Sequence, residues 1–360
     1  MAFYIIIAIL MFGVLIALHE FGHFITAKLL GVRINEFSIG MGPLLWSQKR
    51  GETQYSLRAI PMGGFCAMEG EDDDSDDPRA FSNKPAWKKF IILVAGSFMN
   101  FLTGLVLLIL IFGQATAFVT PVIEDFMEGF PYESEAGLLP GDRIVSVNGE
   151  HIFSKSDLDF FFSRAGGENM DLVIERNGQK LVREDFPLVP REYPGYDRLM
   201  YGLTFTVQEA TPFTRLQQSW YSAVDMVRLV KISLVDLFSG RAGIKDMSGP
   251  IGIVNAIGEV GAESESRMDA LMNILNFVAF IAINLAVMNL LPIPALDGGR
   301  IFFLGCKAAC EIRHERPHIL CDGIAALHGQ VLHQSLVGPG VAARAQINQA
   351  LQVAGNQDIH

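Results

Sequence analysis

Apolar and polar positions along this chain follow two different periods. From Ala2 to Leu18 no charged residue occurs, and the apolar run continues through His19-Glu20-Phe21-Gly22-His23 to Leu30. A second uncharged run covers Phe90 to Phe118, and a third covers Ile274 to Leu291. A helix of about 20 apolar residues crosses a bilayer core, so each run predicts a transmembrane helix. Elsewhere the pattern shortens to that of strands. Phe37 to Pro43 and Pro61 to Phe65 are short apolar pieces broken by glycines, which predicts a β-hairpin over 37–68. Ile144, Val145 and Val147 favour a strand between the turns Gly141-Asp142 and Asn148-Gly149, and alternation resumes from Asp171 to Gly178. These signals predict a small β-rich domain over 119–208. After it, Leu216, Trp220, Val227, Val230 and Leu234 recur at helical spacing. That is an amphipathic helix, serving either a membrane surface or a packing face.

Flanking charge orients the spans. Lys84, Lys88 and Lys89 precede the second, and Glu124, Asp125 and Glu128 follow it, so it starts in the cytoplasm. The first span then runs inward. The third, preceded by Glu263, Glu265 and Asp269 and followed by Arg300 and Lys307, runs inward as well. Residues 119–271 are expected outside the cytoplasm, and Arg33 to Lys89 in the cytoplasm or re-entrant. Within the latter, the acidic run from Glu69 to Asp77 reads as a solvated loop, because it lacks the glycine-punctuated spacing of a calcium loop.

Composition agrees: 50% hydrophobic and 19% charged residues suit a polytopic protein with a soluble portion. A net charge of −11 and the lack of a basic stripe argue against nucleic acid as a partner. Cys66, Cys306, Cys310 and Cys321 show neither C-x-x-C spacing nor disulfide-scaffold density, and read as buried or incidental thiols. The first run lacks the basic start and small-residue cleavage site of a signal peptide.

Candidate chemistry begins with His19-Glu20-Phe21-Gly22-His23. Four residues make about one helical turn, so His19 and His23 share a face and can ligate one Zn²⁺, with Glu20 beside the metal-bound water as its base. Ionisable groups within a spanning helix are costly and are functional candidates by default. A catalytic zinc takes three protein ligands, so one more is needed. The best candidate is Asp297, where Asn289-Leu290-Leu291-Pro292-Ile293-Pro294-Ala295-Leu296-Asp297-Gly298-Gly299 interrupts the third span. A helix-ending loop with a turn aspartate explains the same residues.

Taken together, His19-Glu20-Phe21-Gly22-His23, Asn289-Leu290-Leu291-Pro292 and Leu296-Asp297-Gly298 resemble the site-2 protease family of intramembrane zinc metalloproteases. More narrowly they resemble its bacterial branch with one PDZ domain, the regulator of sigma factor protease type. The resemblance covers residues 1 to about 303, and includes Gly40-Met41-Gly42-Pro43, Pro61-Met62-Gly63-Gly64, Phe81 to Lys88, Gly96 with Asn100-Phe101, and Gly249-Pro250-Ile251-Gly252 in family order. It implies that Asp297 is the third zinc ligand and that Asn289 and Pro292 shape the substrate cleft. It implies a PDZ domain at 119–208, on the strength of Ala136-Gly137-Leu138 and Pro140-Gly141-Asp142, which could bind peptide termini. It implies that the hairpin is a re-entrant β-element holding the substrate strand, with Gly63 and Gly64 in contact with it.

The expected fold is therefore a polytopic α-helical membrane protein with an inserted β-rich PDZ domain and a re-entrant hairpin. Its divisions are 1–118, a membrane core; 119–208, the PDZ domain; 209–271, an amphipathic linker; 272–303, the third span with its motif; and 304–360, an atypical tail. The expected function is regulated intramembrane proteolysis of single-span membrane proteins, such as anti-sigma factors or remnant signal peptides, in a bacterial inner membrane with lipid around it. The alternative is a catalytically impaired PDZ scaffold, and the tail is the reason for it. Phe303 is the last aromatic residue, Lys307 the last lysine, and five of eight histidines lie from His314 onward. The polar stretch Ile319 to Val341 makes a poor fourth span, and residues from near Arg316 read as an altered reading frame or foreign sequence. That composition also explains His314, His318, His328 and His333 without a second metal site.

Overall fold

The computed structural model describes residues 2–71, 75–241 and 267–312. The expected altered tail and its histidines lie outside the described residues. Among those described, three helices are long and apolar enough to cross a membrane: Ile9–Leu29, Ala86–Phe112 and Met268–Asn289. The chain divides into two compact units, which among the described residues comprise 2–71, 75–104, 267–270 and 280–312 in one and 105–241 and 271–279 in the other.

In the first unit, α1 (Ala2–Leu29) ends where Gly31 takes a φ of +75° and the Val32 N–H returns to the Ala27 carbonyl at 2.9 Å. This is a left-handed helix stop that glycine adopts without strain. Lys88 donates to the Leu30 carbonyl at 3.4 Å, placing a cation at the negative end of α1. Two long antiparallel strands follow, β1 (Ile34–Arg50) and β2 (Thr53–Met68). They are bent, and Phe37 lies opposite both Cys66 and Tyr55, while Ser38 lies opposite both Phe65 and Ser56. The start of β1 is thus flanked on both sides by β2, and Trp46 to Arg50 pairs with Thr53 to Leu57 outside it. Phe24, Ala27, Val32, Ile34, Cys66, Met68 and Ile92 form the buried cluster that joins α1, the strands and α2 (Ala86–Phe112).

Two glycines on α1 permit the packing. A Cβ at Gly13 would lie 2.1 Å from the Pro61 carbonyl oxygen, and one at Gly22 would lie 2.4 Å from the Ala95 carbonyl oxygen. Small residues let backbones touch where lipid gives no hydrophobic drive to associate.

The second unit holds β3 (Ala117–Phe126), β4 (Arg143–Val147), β5 (Glu150–His151), α3 (Lys155–Arg164), β6 (Met170–Arg176), β7 (Gln179–Phe186), β8 (Leu203–Glu209) and α4 (Pro212–Phe238). The sheet order is β7-β6-β4-β3-β8, with β5 against β4, so β8 is an edge strand. Asn148-Gly149 turns the chain at φ values of +49° and +82°, and Asn177-Gly178 repeats the device at +51° and +77°. Both residues in the left-handed region is the type I′ hairpin solution that Asn-Gly favours. Inside, Leu138, Ile144, Leu158, Leu172 and Ile174 are fully buried. Asp142 is also fully buried and accepts two hydrogen bonds of 2.7 Å from the Arg176 guanidinium and one of 2.8 Å from the Leu139 N–H. A buried carboxylate is tolerated only when paired in this way.

The structure moves several expected boundaries. The second span stops at Phe112 rather than Phe118, because Ala117 and Phe118 pair with Glu209 and Gln208 in the sheet. The third helix, α5 (Arg267–Asn289), stops two residues early, and α6 (Asp297–Ile312) is a separate helix that continues beyond residue 303. Of the expected solvated acidic loop, residues 72–74 lie outside the described residues, and two of its carboxylates form ion pairs. Asp77 pairs with Arg33 at 3.1 Å, and Glu71 pairs with Arg300.

Burial, reinforced by the charge of Asp157, pushes the Asp225 carboxyl on α4 up to about 8. The folded protein keeps a proton that the unfolded chain releases near pH 3.8. This group's contribution to stability is complete at low pH and is lost as pH rises through that window. Asp225→Asn should therefore melt above the wild type by a margin that grows with pH, reaching on the order of 1 kcal/mol near pH 8 after allowance for solvent screening. Thermal unfolding followed by Trp220 fluorescence would measure it. A margin independent of pH would contradict the assignment.

Candidate metal centre

His19 and His23 leave α1 on one face, and both are buried. Asp297 opens α6, in the first turn, where the helix dipole favours a carboxylate. The three side chains converge. The Nε2 atoms of His19 and His23 lie 3.1 Å apart, and Asp297 Oδ2 lies 3.1 Å from the first and 3.3 Å from the second. Three donors about 2.0–2.1 Å from one tetrahedral zinc would stand about 3.3 Å from one another. The triangle fits that ion. Asp297 Oδ2 is buried without a hydrogen-bond partner, as a ligand atom facing a cation would be. Among the described residues, this is the one group of three or more potential ligands gathered so closely.

α2 shapes the space around the imidazoles. The His23 Nδ1–H donates to the Ile92 carbonyl at 2.8 Å, which turns Nε2 toward Asp297. One turn on, a Cβ at Gly96 would lie 2.4 Å from His23 Nε2 and 2.6 Å from His19 Cε1. Another turn on, Asn100 Nδ2 lies 3.4 Å from His19 Nδ1, and Asn289 Nδ2 approaches the same nitrogen at 3.5 Å.

The loop between α5 and α6 carries Asp297 to this point. The Leu296 N–H donates to the Ile293 carbonyl at 2.9 Å, and the Gly299 N–H to the Leu296 carbonyl at 3.0 Å. A Cβ at Gly298 would fall 2.2 Å from the Leu291 carbonyl oxygen, so the loop folds back onto the helix start in a way only glycine allows. Pro292 is exposed on this loop and is not among the side chains gathered at the donors. Arg300, three residues past the aspartate, pairs with Glu71, which also accepts from the Met68 N–H at 3.3 Å. The first turn of α6 is thereby tied to the end of β2.

Glu20 is half-buried, and β2 passes beside it. A Cβ at Gly64 would lie 3.6 Å from Glu20 Cγ and 2.8 Å from the Ser38 carbonyl oxygen, while Gly63 holds a φ of +92° against Met41. Burial, with help from the Glu20 and Glu71 carboxylates, pushes the Cys66 thiol up. It stays protonated and is no competing ligand. Of the residues named from the sequence, His19, His23 and Asp297 come together and Glu20 lies beside them. The Glu71–Arg300 pair and the carbonyl of Ile92 carry no local signal in the sequence.

Residues 7–324 match Peptidase family M50. The chain is 38% identical to a candidate zinc metalloprotease of Clostridium acetobutylicum, over 83% of this chain and 86% of that one. It is 35% identical to another of Clostridium perfringens, with the same coverage. It is 26% identical to the regulator of sigma-W protease RasP of Bacillus subtilis, over 84% of this chain and 90% of that protein.

Gly96→Ala should lower zinc affinity at least about tenfold, because the added methyl enters the space of the imidazoles. At a helical position free of neighbours the same change stabilises by about 1 kcal/mol. Chelator competition on the purified protein, alongside helix content by circular dichroism, separates the two effects. Unchanged affinity would show that the helices can part without disturbing the donors.

Proposed function

From the premise that this chain belongs to peptidase family M50, the site-2 protease family of zinc metalloproteases, we propose that it cuts single-span membrane proteins within the bilayer. The observation that carries the reading is the donor triangle of 3.1, 3.1 and 3.3 Å, with Glu20 next to one of its corners. In it His19, His23 and Asp297 would hold the zinc. When bound, the ion supplies Lewis acidity, which makes water nucleophilic near neutral pH and polarises a carbonyl. Glu20 takes the proton from the attacking water and delivers it to the leaving amine nitrogen.

A helical substrate must first expose its peptide bond. We propose that the hairpin is re-entrant and receives the unwound segment along Gly63 and Gly64, beside Glu20. What supports this is that β2 pairs with β1 from Gly64 to Met68 and that Gly64 lies beside the base, a Cβ there falling 3.6 Å from Glu20 Cγ. Asn289, half-buried at the end of α5, and Pro292 on the following loop would border the same cleft. The proposed orientation follows charge: Lys84, Lys88 and Lys89 lie on the cytoplasmic side, and the β-rich unit lies outside, in a bacterial inner membrane.

The β-rich unit is proposed to be a PDZ domain. Its edge strand β8 begins after Gly202, and Lys155 at the start of α3 stands 4.8 Å from the Phe205 ring, so this strand edge and the helix lie next to each other. Addition of a peptide terminus to such an edge is how PDZ domains bind. The relation to RasP suggests anti-sigma factors as the substrate class.

Cleavage of a model single-span substrate by the membrane-embedded protein tests the reading. Glu20→Gln should reduce turnover at least about 10²-fold while zinc stays bound, and a chelator should abolish it. Full activity in Glu20→Gln would remove the residue from the mechanism. Bound zinc without wild-type turnover across several substrates would favour a peptide-binding scaffold.

A further inference from the structure

His19 has two ring nitrogens, and the donor triangle uses one. If Nε2 offers its lone pair to a metal, the neutral ring carries its hydrogen on Nδ1, which then needs an acceptor. What faces Nδ1 is the side-chain amide nitrogen of Asn100 at 3.4 Å and that of Asn289 at 3.5 Å. Two donors pointing at an N–H cannot both stand. The oxygen and nitrogen of an asparagine amide are interchangeable in shape, and the hydrogen-bond network decides between them. Asn100 is 1% exposed, and its Oδ1 is buried with no partner. Half a turn of that amide presents the orphaned oxygen to the His19 Nδ1–H and replaces the donor–donor contact between Asn100 and His19 with a hydrogen bond.

We infer that Asn100 is a positioning residue for the metal centre: its Oδ1 accepts from the His19 Nδ1–H and fixes the tautomer and the ring orientation that bring Nε2 to the metal. The placement on α2 supports this. Ile92, Gly96 and Asn100 are four residues apart and form one stripe of the helix. The Ile92 carbonyl orients His23, Gly96 leaves room for both rings, and Asn100 orients His19. One helix face thus aligns both imidazoles. Asn289 is the less suitable acceptor, because it is half-buried at a helix end and can turn toward a substrate, whereas the Asn100 amide has nowhere else to go.

The inference rests on the reading of His19 as a ligand, and zinc binding to the purified full-length protein in detergent tests the two separately. The measurement is chelator competition on the wild type, Asn100→Leu, Asn100→Asp, Asn289→Ala and His19→Ala. Asn100→Leu is close in size and cannot accept, so affinity should fall about 10–100-fold. Asn100→Asp keeps the acceptor and loses the donors, so affinity should stay within about threefold of wild type or rise, as in carboxylate–histidine–zinc sites. Asn289→Ala should change little. Wild-type affinity in Asn100→Leu would overturn the inference, and so would equal losses in the Leu and Asp variants, which would mark a donor or a packing role. A loss in Asn289→Ala that Asn100→Leu does not show would assign the acceptor to Asn289 instead. In each of these cases His19→Ala should still lose zinc. If it retains zinc, the metal-site reading fails instead.

Discussion

The site depends on how closely α1 and α2 approach each other. Gly22 meets the Ala95 carbonyl and Gly96 meets both imidazoles, at separations no side chain could occupy. The resulting contact surrounds His19 and His23 with protein and leaves each ring one polar neighbour on α2. In an apolar environment an unmatched ring nitrogen is costly, so the neighbour determines which nitrogen carries hydrogen. Ligand orientation is therefore a consequence of helix packing, and a change in interhelical distance would act on the chemistry before it acted on the fold.

Asp297 reaches the histidines by a different route. Its carboxylate is held at a helix start whose Gly298 and Gly299 pack against the preceding loop, which contains Pro292 and Pro294. The Arg300–Glu71 ion pair ties this helix start to the end of β2. The same strand passes Glu20 a few residues earlier, at Gly64. Asp297 and Glu20 are thus linked through a single strand.

The second unit carries a separate core and does not rely on these contacts. Its sheet closes over Leu138, Ile144, Leu158, Leu172 and Ile174, and the buried Asp142–Arg176 pair secures the turn before β4. Asp225 introduces a pH-sensitive element into that unit, because burial outweighs the adjacent Arg228 guanidinium.

Local signals made much of this legible in the sequence. Long uncharged runs identified three spans, because a helix in lipid needs only length and apolar side chains. Asn-Gly pairs identified two hairpin turns, because few residues tolerate a left-handed backbone. The spacing of His19 and His23 was sufficient to place both on one face. Other features depended on partners distant in the chain. The second span ended early because Ala117 and Phe118 found strand partners some 90 residues later, at Glu209 and Gln208. Glu71 looked like part of a solvated acidic loop until Arg300 came to it from α6. Asn100 belonged to a segment of the family resemblance, but its meeting with His19 came only from the packing of α2 on α1. Helical period and turn chemistry are properties of neighbours along the chain, so the sequence alone determined them. The meeting of Asp297 with the two histidines, the α2 neighbour of each imidazole and the brace on Asp297 are matches between residues up to 278 positions apart, and only the packing of helices and strands decided which of them would meet.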